Sequence, residues 1–415
     1  MSTASNMSAP RVGELPGQLA ARGRKPRDIR LDFFRGAGMF IIFFAHMPNN
    51  GWANYIPARF GFSDATEIFV FCSGMASALA FGKLFEQRGF LLGLSRIAFR
   101  CWQVYWAHIA LFLVVTTAMV SVDHWLGTGT QYQGGINVLP FVEFNTGQQL
   151  MGLLTLTYVP NLFDILPMYL VILAMIPIIM ALARVNVGLV FIFMAAIWLL
   201  AFFEKLDLPA EPWSDRVWYF NPFSWQLVFF TGFAFMRGWI PAPPIDRRLI
   251  WICAAIVIVI IPFAHWPTVN SYQFIRDTRD FIAPLLDKTH FGPLRYIHFL
   301  ALAYLAYALA GPNGENIKGP GVNVMCKVGQ QALGVFMAGI LLSMLGGVAL
   351  NLMGPTTLNV AFVNIVGIIL LIAVAYTAAY FKSSPWQKPR LQPDVKAQSD
   401  RGLSVPPTGG RGAGA

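Results

Sequence analysis

Long runs of apolar residues, separated by polar segments, are the main pattern along this chain. A helix that crosses a bilayer needs about 20 apolar residues, and ten runs come close to or exceed that length. Pro160, Pro167 and Pro177 fall in or beside the fourth run and are expected to kink that helix. The pattern predicts an all-α polytopic membrane protein with about ten transmembrane helices, at roughly residues 33–48, 64–82, 94–122, 161–183, 187–203, 222–239, 248–263, 294–310, 328–353 and 358–381.

The composition excludes a water-soluble fold. Of the 415 residues, 56% are hydrophobic and only 12% are charged, which is about half the charged fraction of an ordinary soluble domain. A soluble chain of this length cannot hide so much apolar surface from water. We therefore expect the protein to lie in a lipid bilayer.

The positions of the basic residues indicate how the chain is oriented. The net charge is +10, but the basic residues flank the apolar runs and form no patch for nucleic acid, so no nucleic-acid partner is expected. Cytoplasmic segments are enriched in Lys and Arg, and this enrichment predicts that both termini are cytoplasmic. In that orientation only seven of the 30 basic residues lie outside, namely Arg59, Lys205, Arg216, Arg276, Arg279, Lys288 and Arg295.

The chain divides into one membrane domain and two tails. Residues 1–30 are polar and basic without a small-residue cleavage site, which predicts a disordered cytoplasmic tail before an uncleaved first span. Residues 31–381 form the predicted transmembrane domain. Residues 382–415, rich in Pro, Gly and charge, are predicted to be a second disordered tail. The four cysteines are scattered without a CxxC pair, so neither a disulfide framework nor a metal site is expected.

The first span places a cation and an imidazole on one helix face. His46 lies eleven residues after Arg35, so the two side chains point in the same direction and lie ~16 Å apart along the axis. Ionisable residues inside spans are costly, and several at one depth favour a functional site. We interpret His46, in the outer half, as a candidate general base, and Arg35 as a candidate ligand for an anionic substrate.

The second span begins with two carboxylates, Asp64 and Glu67, on one face and at the predicted depth of His46. A carboxylate beside an imidazole fixes its tautomer and raises its basicity, which suits deprotonation of a hydroxyl. We therefore add both to the candidate catalytic group. Helix capping is the alternative, because acids at a helix N-terminus also stabilise the helix dipole.

The third span begins with Arg96 and Arg100, four residues apart at the predicted cytoplasmic end. Guanidinium groups bind phosphates bidentately, so these two, with Arg35 and Lys83, are a candidate phosphate clamp. The alternative is that they only anchor the helix at the inner interface.

Further polar residues are predicted near the outer ends of other spans. Asp164 lies at the start of the fourth run, and Gln226 lies one turn into a sixth helix capped by Asn221. Arg295 and His298 end an outer stretch of interleaved aromatic and charged residues. We expect these side chains to contact substrate, Gln226 as an oxyanion donor, although the outer stretch is equally typical of an interfacial helix.

Several long strings resemble the OpgC family between about Arg27 and Tyr380. They include RDIRLDFFRG, FAHMPNN, GFSDATEIFVFCSG, PNLFDILPMY, YFNPFSWQLVFFTG, DKTHFGPLRYIHFLALAY and VGQQALGVF. OpgC proteins are multispanning bacterial inner-membrane proteins that succinylate osmoregulated periplasmic glucans. The first and second spans, and the paired arginines of the third, also resemble the wider membrane acyltransferase-3 superfamily.

The resemblance implies an acyl-CoA-dependent O-acyltransferase without a permanently bound cofactor. Succinyl-CoA would be the donor and a periplasmic glucan the acceptor, with His46 catalytic and Arg96 and Arg100 near the acyl-CoA. The residues alone leave two alternatives open. One is a transporter or flippase of an anionic solute with His46 as a proton relay, and the other is an acetyltransferase of a different exported polysaccharide.

Overall fold

The described part of the protein, residues 28–386 of a computed structural model, is all-helical and contains no strand. Each apolar run of the sequence corresponds to one principal helix. These helices are α1 (Arg30–His46), α2 (Ala65–Gln87), α3 (Phe90–Leu126), α4 (Ile165–Val185), α5 (Val187–Phe202), α6 (Pro222–Arg237), α7 (Arg247–Ala264), α8 (Pro293–Ala310), α9 (Ala332–Met353) and α10 (Thr357–Lys382).

Seven of the described helices are long and apolar enough to cross a membrane: α2, α3, α4, α7, α8, α9 and α10. The multi-pass architecture is therefore confirmed. The other three, α1, α5 and α6, have 17, 16 and 16 residues, so the count of ten spans stays a prediction. Residues 1–27 and 387–415, which hold nearly all of the two predicted tails, lie outside the described residues.

Helix α1 packs closely against a short helix, Val322–Gln330, that precedes α9. A Cβ atom on Gly36 would collide with the carbonyl oxygen of Met325, and one on Gly329 with the carbonyl oxygen of Asp32. Because glycine has no side chain, the two backbones can approach at both points. This contact fixes the N-terminal half of α1, the helix that carries His46.

Helices α2 and α6 are in equally close contact. A Cβ on Gly74 of α2 would meet the carbonyl oxygen of Phe229, and a Cβ on Gly232 of α6 would meet that of Phe71. The reciprocal glycines let the backbones touch. Further along, α2 includes a π-helical turn at Ala78–Gly82.

Helix α4 is not broken at any of its prolines. It begins after Pro160, holds Pro167 in its first turn and continues through Pro177. In a first turn the missing N–H of proline costs nothing, since that group has no partner within the helix. The helix is therefore continuous through Pro167 and Pro177, and the expected kink stays a prediction.

We call the end of the bundle at which α1 ends and α2 begins the outer end. The segment after α1 forms two 3₁₀ turns, Gly51–Tyr55 and Pro57–Arg59. Buried Asn50 fixes it to α10, because the side-chain amides of Asn50 and Asn364 exchange hydrogen bonds of 3.0 and 2.8 Å. This loop holds the outer end of α1 in place.

Candidate active site

A cavity of about 850 Å³ opens at the outer end between α1, α2, α3, α4 and α9 and four connecting loops. On α9 its lining extends from Asn351 to Phe336, which is ~22 Å of helix. The deeper wall is apolar and includes Ile42 and Phe69. The polar lining side chains are His46, Arg59, Asp64, Thr66, Gln131, Tyr132, Asn161, Asp164, Tyr219, Lys288 and Asn351.

His46 is the last residue of α1 and lines this cavity. Its Nδ1 lies 2.8 Å from the carbonyl oxygen of Ile42. A carbonyl oxygen only accepts, so Nδ1 must be the donor and carry the proton. The neutral imidazole then has its lone pair on Nε2, which is the form that a general base requires.

Asp64 is the N-cap of α2 and takes part in a capping box. Its Oδ1 accepts from the backbone amide of Thr66 at 2.7 Å, and its own amide donates to Glu67 Oε2 at 2.8 Å. Its other oxygen, Oδ2, lies 2.5 Å from Nζ of Lys288. Asp64 therefore caps α2, as the capping alternative states. The same carboxylate also lies in the cavity wall, where its Oδ2 contacts Lys288.

Glu67 is fully buried behind Asp64 and is paired with Arg295. Its Oε1 accepts from Arg295 Nε at 2.9 Å and Nη2 at 2.5 Å, and the same Nη2 lies 3.5 Å from Asp64 Oδ2. The expectation that Glu67 or Asp64 orients His46 through a hydrogen bond is corrected. A guanidinium and an ammonium are stronger partners for these carboxylates, and the backbone carbonyl of Ile42 takes the orienting role.

Three other candidate residues lie away from the cavity lining. His298 is buried, and its Nδ1 lies 3.2 Å from the backbone nitrogen and 2.7 Å from Oγ of Ser63. Gln226 is also buried and donates to the carbonyl of Met194 at 2.8 Å. Arg295 is paired with Glu67, and none of the three lines the cavity, so their contact with substrate stays a prediction.

Asp164 does line the cavity. It is 3% exposed, and its Oδ1 has no hydrogen-bond partner among the described residues. The structure thus brings His46, Asp64 and Asp164 together at one cavity.

The predicted phosphate clamp is not assembled at this cavity. Arg96 is exposed with its guanidinium 5.8 Å from the ring centre of Phe99, and Arg100 donates to Gln103 at 3.2 Å. Nε of Arg35 is buried without a hydrogen-bond partner among the described residues. None of the three arginines lines the cavity, so their role as donor ligands stays a prediction.

The sequence analysis missed Lys288, which lines the cavity beside Asp64. Its Nζ lies 5.4 Å from the ring centre of Phe220 and 5.9 Å from that of Tyr219. Burial alone would lower the pKa of this ammonium, but the charges of Asp64 and Glu67 outweigh that effect and raise it. In the sequence, Lys288 is distinguished only by its place in the string DKTH and as one of the seven outer basic residues.

Two comparisons with known proteins, one against curated proteins and one against solved structures, found no match. The family model described as OpgC protein matches residues 27–383, nearly the whole of the chain that the structure describes. This match points to a membrane-associated acyltransferase that modifies glucans. The chain belongs to the OpgC protein family.

Proposed function

We propose that this protein is a membrane O-acyltransferase that moves a succinyl or other short acyl group from cytoplasmic acyl-CoA to hydroxyl groups of a periplasmic glucan, at the bacterial inner membrane. Membership of the OpgC family supports the reaction class. The observation that carries the proposal is the geometry of His46. Its Nδ1 donates to Ile42, so Nε2 is the free proton acceptor on the wall of a deep cavity.

The proposed reaction begins with proton transfer from a glucan hydroxyl to Nε2 of His46. The resulting alkoxide attacks the carbonyl carbon of the thioester, and a bond forms between them. The tetrahedral intermediate then expels the CoA thiolate. The imidazolium returns its proton to the thiolate sulfur, which restores neutral His46 and releases CoA as a thiol.

Lys288 is the best-placed group to stabilise the negative charge that develops on the carbonyl oxygen. Its ammonium has three donors, of which Asp64 takes one at 2.5 Å. Asp64 in turn keeps Lys288 charged and pointed towards the cavity. A cation fixed in advance in a partly buried site is effective at stabilising an oxyanion. We assign this role to Lys288 in place of Gln226.

The depth of the cavity supports access for both substrates. A lining that continues ~22 Å along α9 allows a narrow donor to extend into the apolar part of the membrane. The mouth at the outer end presents amide and phenol side chains, which hydrogen-bond to sugar hydroxyls. Arg35, Arg96 and Arg100 remain the proposed contacts of the CoA phosphates, at the opposite end of α1 and α3.

The proposal is tested with detergent-purified protein, isolated periplasmic glucan and either succinyl-CoA or acetyl-CoA. Mass spectrometry of the glucan should show succinyl esters that depend on both substrates and on the protein. Transfer from acetyl-CoA alone would identify acetyl as the acyl group that the protein moves to the glucan. If neither donor yields an ester while reconstituted protein moves an anionic solute, the transporter alternative replaces the proposal.

A further inference from the structure

The loop Asp287–Gly292 before α8, here called the Lys288 loop, has a rigid internal structure. The carboxylate of Asp287 accepts from the backbone amides of Thr289 at 3.0 Å and His290 at 2.9 Å. The backbone carbonyl of Asp287 accepts from the amide of Gly292 at 2.8 Å. One residue therefore organises the turn that presents Lys288.

The Lys288 loop is also attached to the first turn of α6. The indole Nε1 of Trp225 donates to the carbonyl of Lys288 at 2.9 Å, and Oγ of Ser224 donates to that of Thr289 at 3.1 Å. The backbone amide of Asn221 donates to the same Thr289 carbonyl at 3.2 Å. These contacts fix the backbone from which the Lys288 side chain extends to Asp64.

The side chain of His290 connects this loop to a third segment, between α5 and α6. Its Nδ1 lies 2.7 Å from Oδ2 of Asp287, and its Nε2 lies 3.0 Å from Oδ1 of Asp207. Asp207 also accepts from the side-chain amide of Asn221 at 2.8 Å. Both imidazole nitrogens therefore face carboxylate oxygens.

A neutral imidazole donates at only one nitrogen, and a carboxylate donates at neither oxygen. Only the imidazolium satisfies both contacts of His290. The direct contacts leave no space for an ion, and no group of three His, Cys, Asp or Glu side chains within residues 28–386 is arranged to hold a metal. The arrangement is therefore an ionic link between two outer segments.

We propose that His290 is a positioning residue that works as an imidazolium, linking Asp207 to Asp287 and so holding Lys288 in the wall of the cavity. The effect of His290 on acyl transfer rests on the proposed function, whereas its effect on the position of the Lys288 loop does not. Lys288 thus has a pH-dependent support formed by groups that do not line the cavity.

The direction of the pH dependence follows from the two carboxylates, which are the titratable groups that face His290. Burial lowers the pKa of His290, but its hydrogen bonds and charge interactions with Asp287 and Asp207 outweigh burial and raise it above 6.5. The link is complete below that ordinary value. Its contribution is lost as the pH rises through the raised pKa of His290.

The loop can be tested without any activity measurement. A membrane-impermeant amine reagent is applied to the full-length purified protein, and labelling of Lys288 is divided by that of exposed Lys205. At about pH 6 the ratio should be severalfold higher in His290→Gln than in the wild type. The glutamine amide is neutral and carries its donors on a single nitrogen, so it does not replace an imidazolium that donates to one carboxylate from each of its two nitrogens. At about pH 9 the two ratios should converge, since neutral His290 has also lost one contact.

Acyl transfer provides the second measurement. Wild-type kcat should decline on the alkaline side, whereas His290→Gln should lack this decline and be slower by roughly 10- to 100-fold, as expected for misplacement by about 1 Å. Asp207→Asn should move the decline to lower pH. His124→Gln, at an exposed histidine near the end of α3, should match the wild type.

Two results would overturn the inference. One is that His290→Gln has the same Lys288 to Lys205 labelling ratio as the wild type at about pH 6. The other is that kcat declines on the alkaline side in both His290→Gln and Asp207→Asn as it does in the wild type. If the wild type transfers no acyl group at all, the proposed function fails, and the labelling ratio alone decides whether His290 holds the loop.

Discussion

At the scale of single residues, the partner of each ionisable side chain decides which chemistry is open to it. His46 and Glu67 were both expected in the catalytic group, yet their surroundings differ. His46 has one nitrogen tied to a carbonyl and lines the cavity, whereas both oxygens of Glu67 are engaged away from it, by Arg295 and by the Asp64 amide. Of these two residues, His46 is therefore the one with a free acceptor atom at the cavity.

Replacing His46 with glutamine tests its role as a base. The amide still hydrogen-bonds but does not accept a proton near neutral pH, so kcat should fall ~10²–10⁴-fold with acyl-CoA affinity unchanged. Single-turnover transfer and equilibrium binding of labelled acyl-CoA measure the two effects separately, with His124→Gln as the control. Near-normal transfer would mean that the base lies elsewhere, and Asp164 would be the next residue to test.

Glu67 and Arg295 should behave as a structural ion pair. Removing one partner leaves an uncompensated buried charge, so Glu67→Gln and Arg295→Gln should each lower stability by about 3–5 kcal/mol. The double variant should be more stable than either single variant. Thermal unfolding in detergent provides the comparison. Full stability of Glu67→Gln together with loss of transfer would instead restore Glu67 to the catalytic group.

At the scale of helices, close contact between backbones fixes the frame around the cavity. Gly74 and Gly232 allow α2 and α6 to touch, and α2 carries Asp64 at its N-terminus. The first turn of α6 holds the Lys288 loop. The α2–α6 contact therefore sets the relative positions of Asp64 and Lys288.

Gly74→Ala should disturb this frame, because its Cβ would collide with the carbonyl oxygen of Phe229. Overpacking of this kind costs typically 1–3 kcal/mol, and we expect a lower unfolding temperature. Gly38→Ala is the matched control, since a Cβ there meets only a methyl group of Ile68 at 3.8 Å. Equal stability of the two variants would show that α2 and α6 can separate without cost.

The helices could be predicted from the sequence because each apolar run carries its own local signal. The capping box of α2 was equally readable, since Asp64 and Glu67 are three residues apart. The partners of Glu67 and Asp64 were not, because Arg295 and Lys288 lie more than 200 residues further along the chain. Such long-range pairs depend on how the helices pack, which a single sequence does not specify.

At the scale of the whole molecule, the proposed reaction requires that the cavity mouth face the periplasm. In a variant without the four native cysteines, a cysteine at Thr130 should react with a membrane-impermeant maleimide added from the periplasmic side. One at Lys318 should not, and both residues are exposed. The reverse labelling pattern would place His46 and Lys288 on the cytoplasmic side and contradict the proposed direction of transfer.

Acyl transfer across a bilayer at His46 tests the central claim most directly. Protein is reconstituted in liposomes with glucan inside and succinyl-CoA outside. Only protein molecules whose cytoplasmic face points outward can bind the donor. Mass spectrometry should detect succinyl esters on the enclosed glucan with the wild type and at least ~10²-fold less with His46→Gln. Equal ester formation by the two proteins, or none with the wild type, would contradict the account.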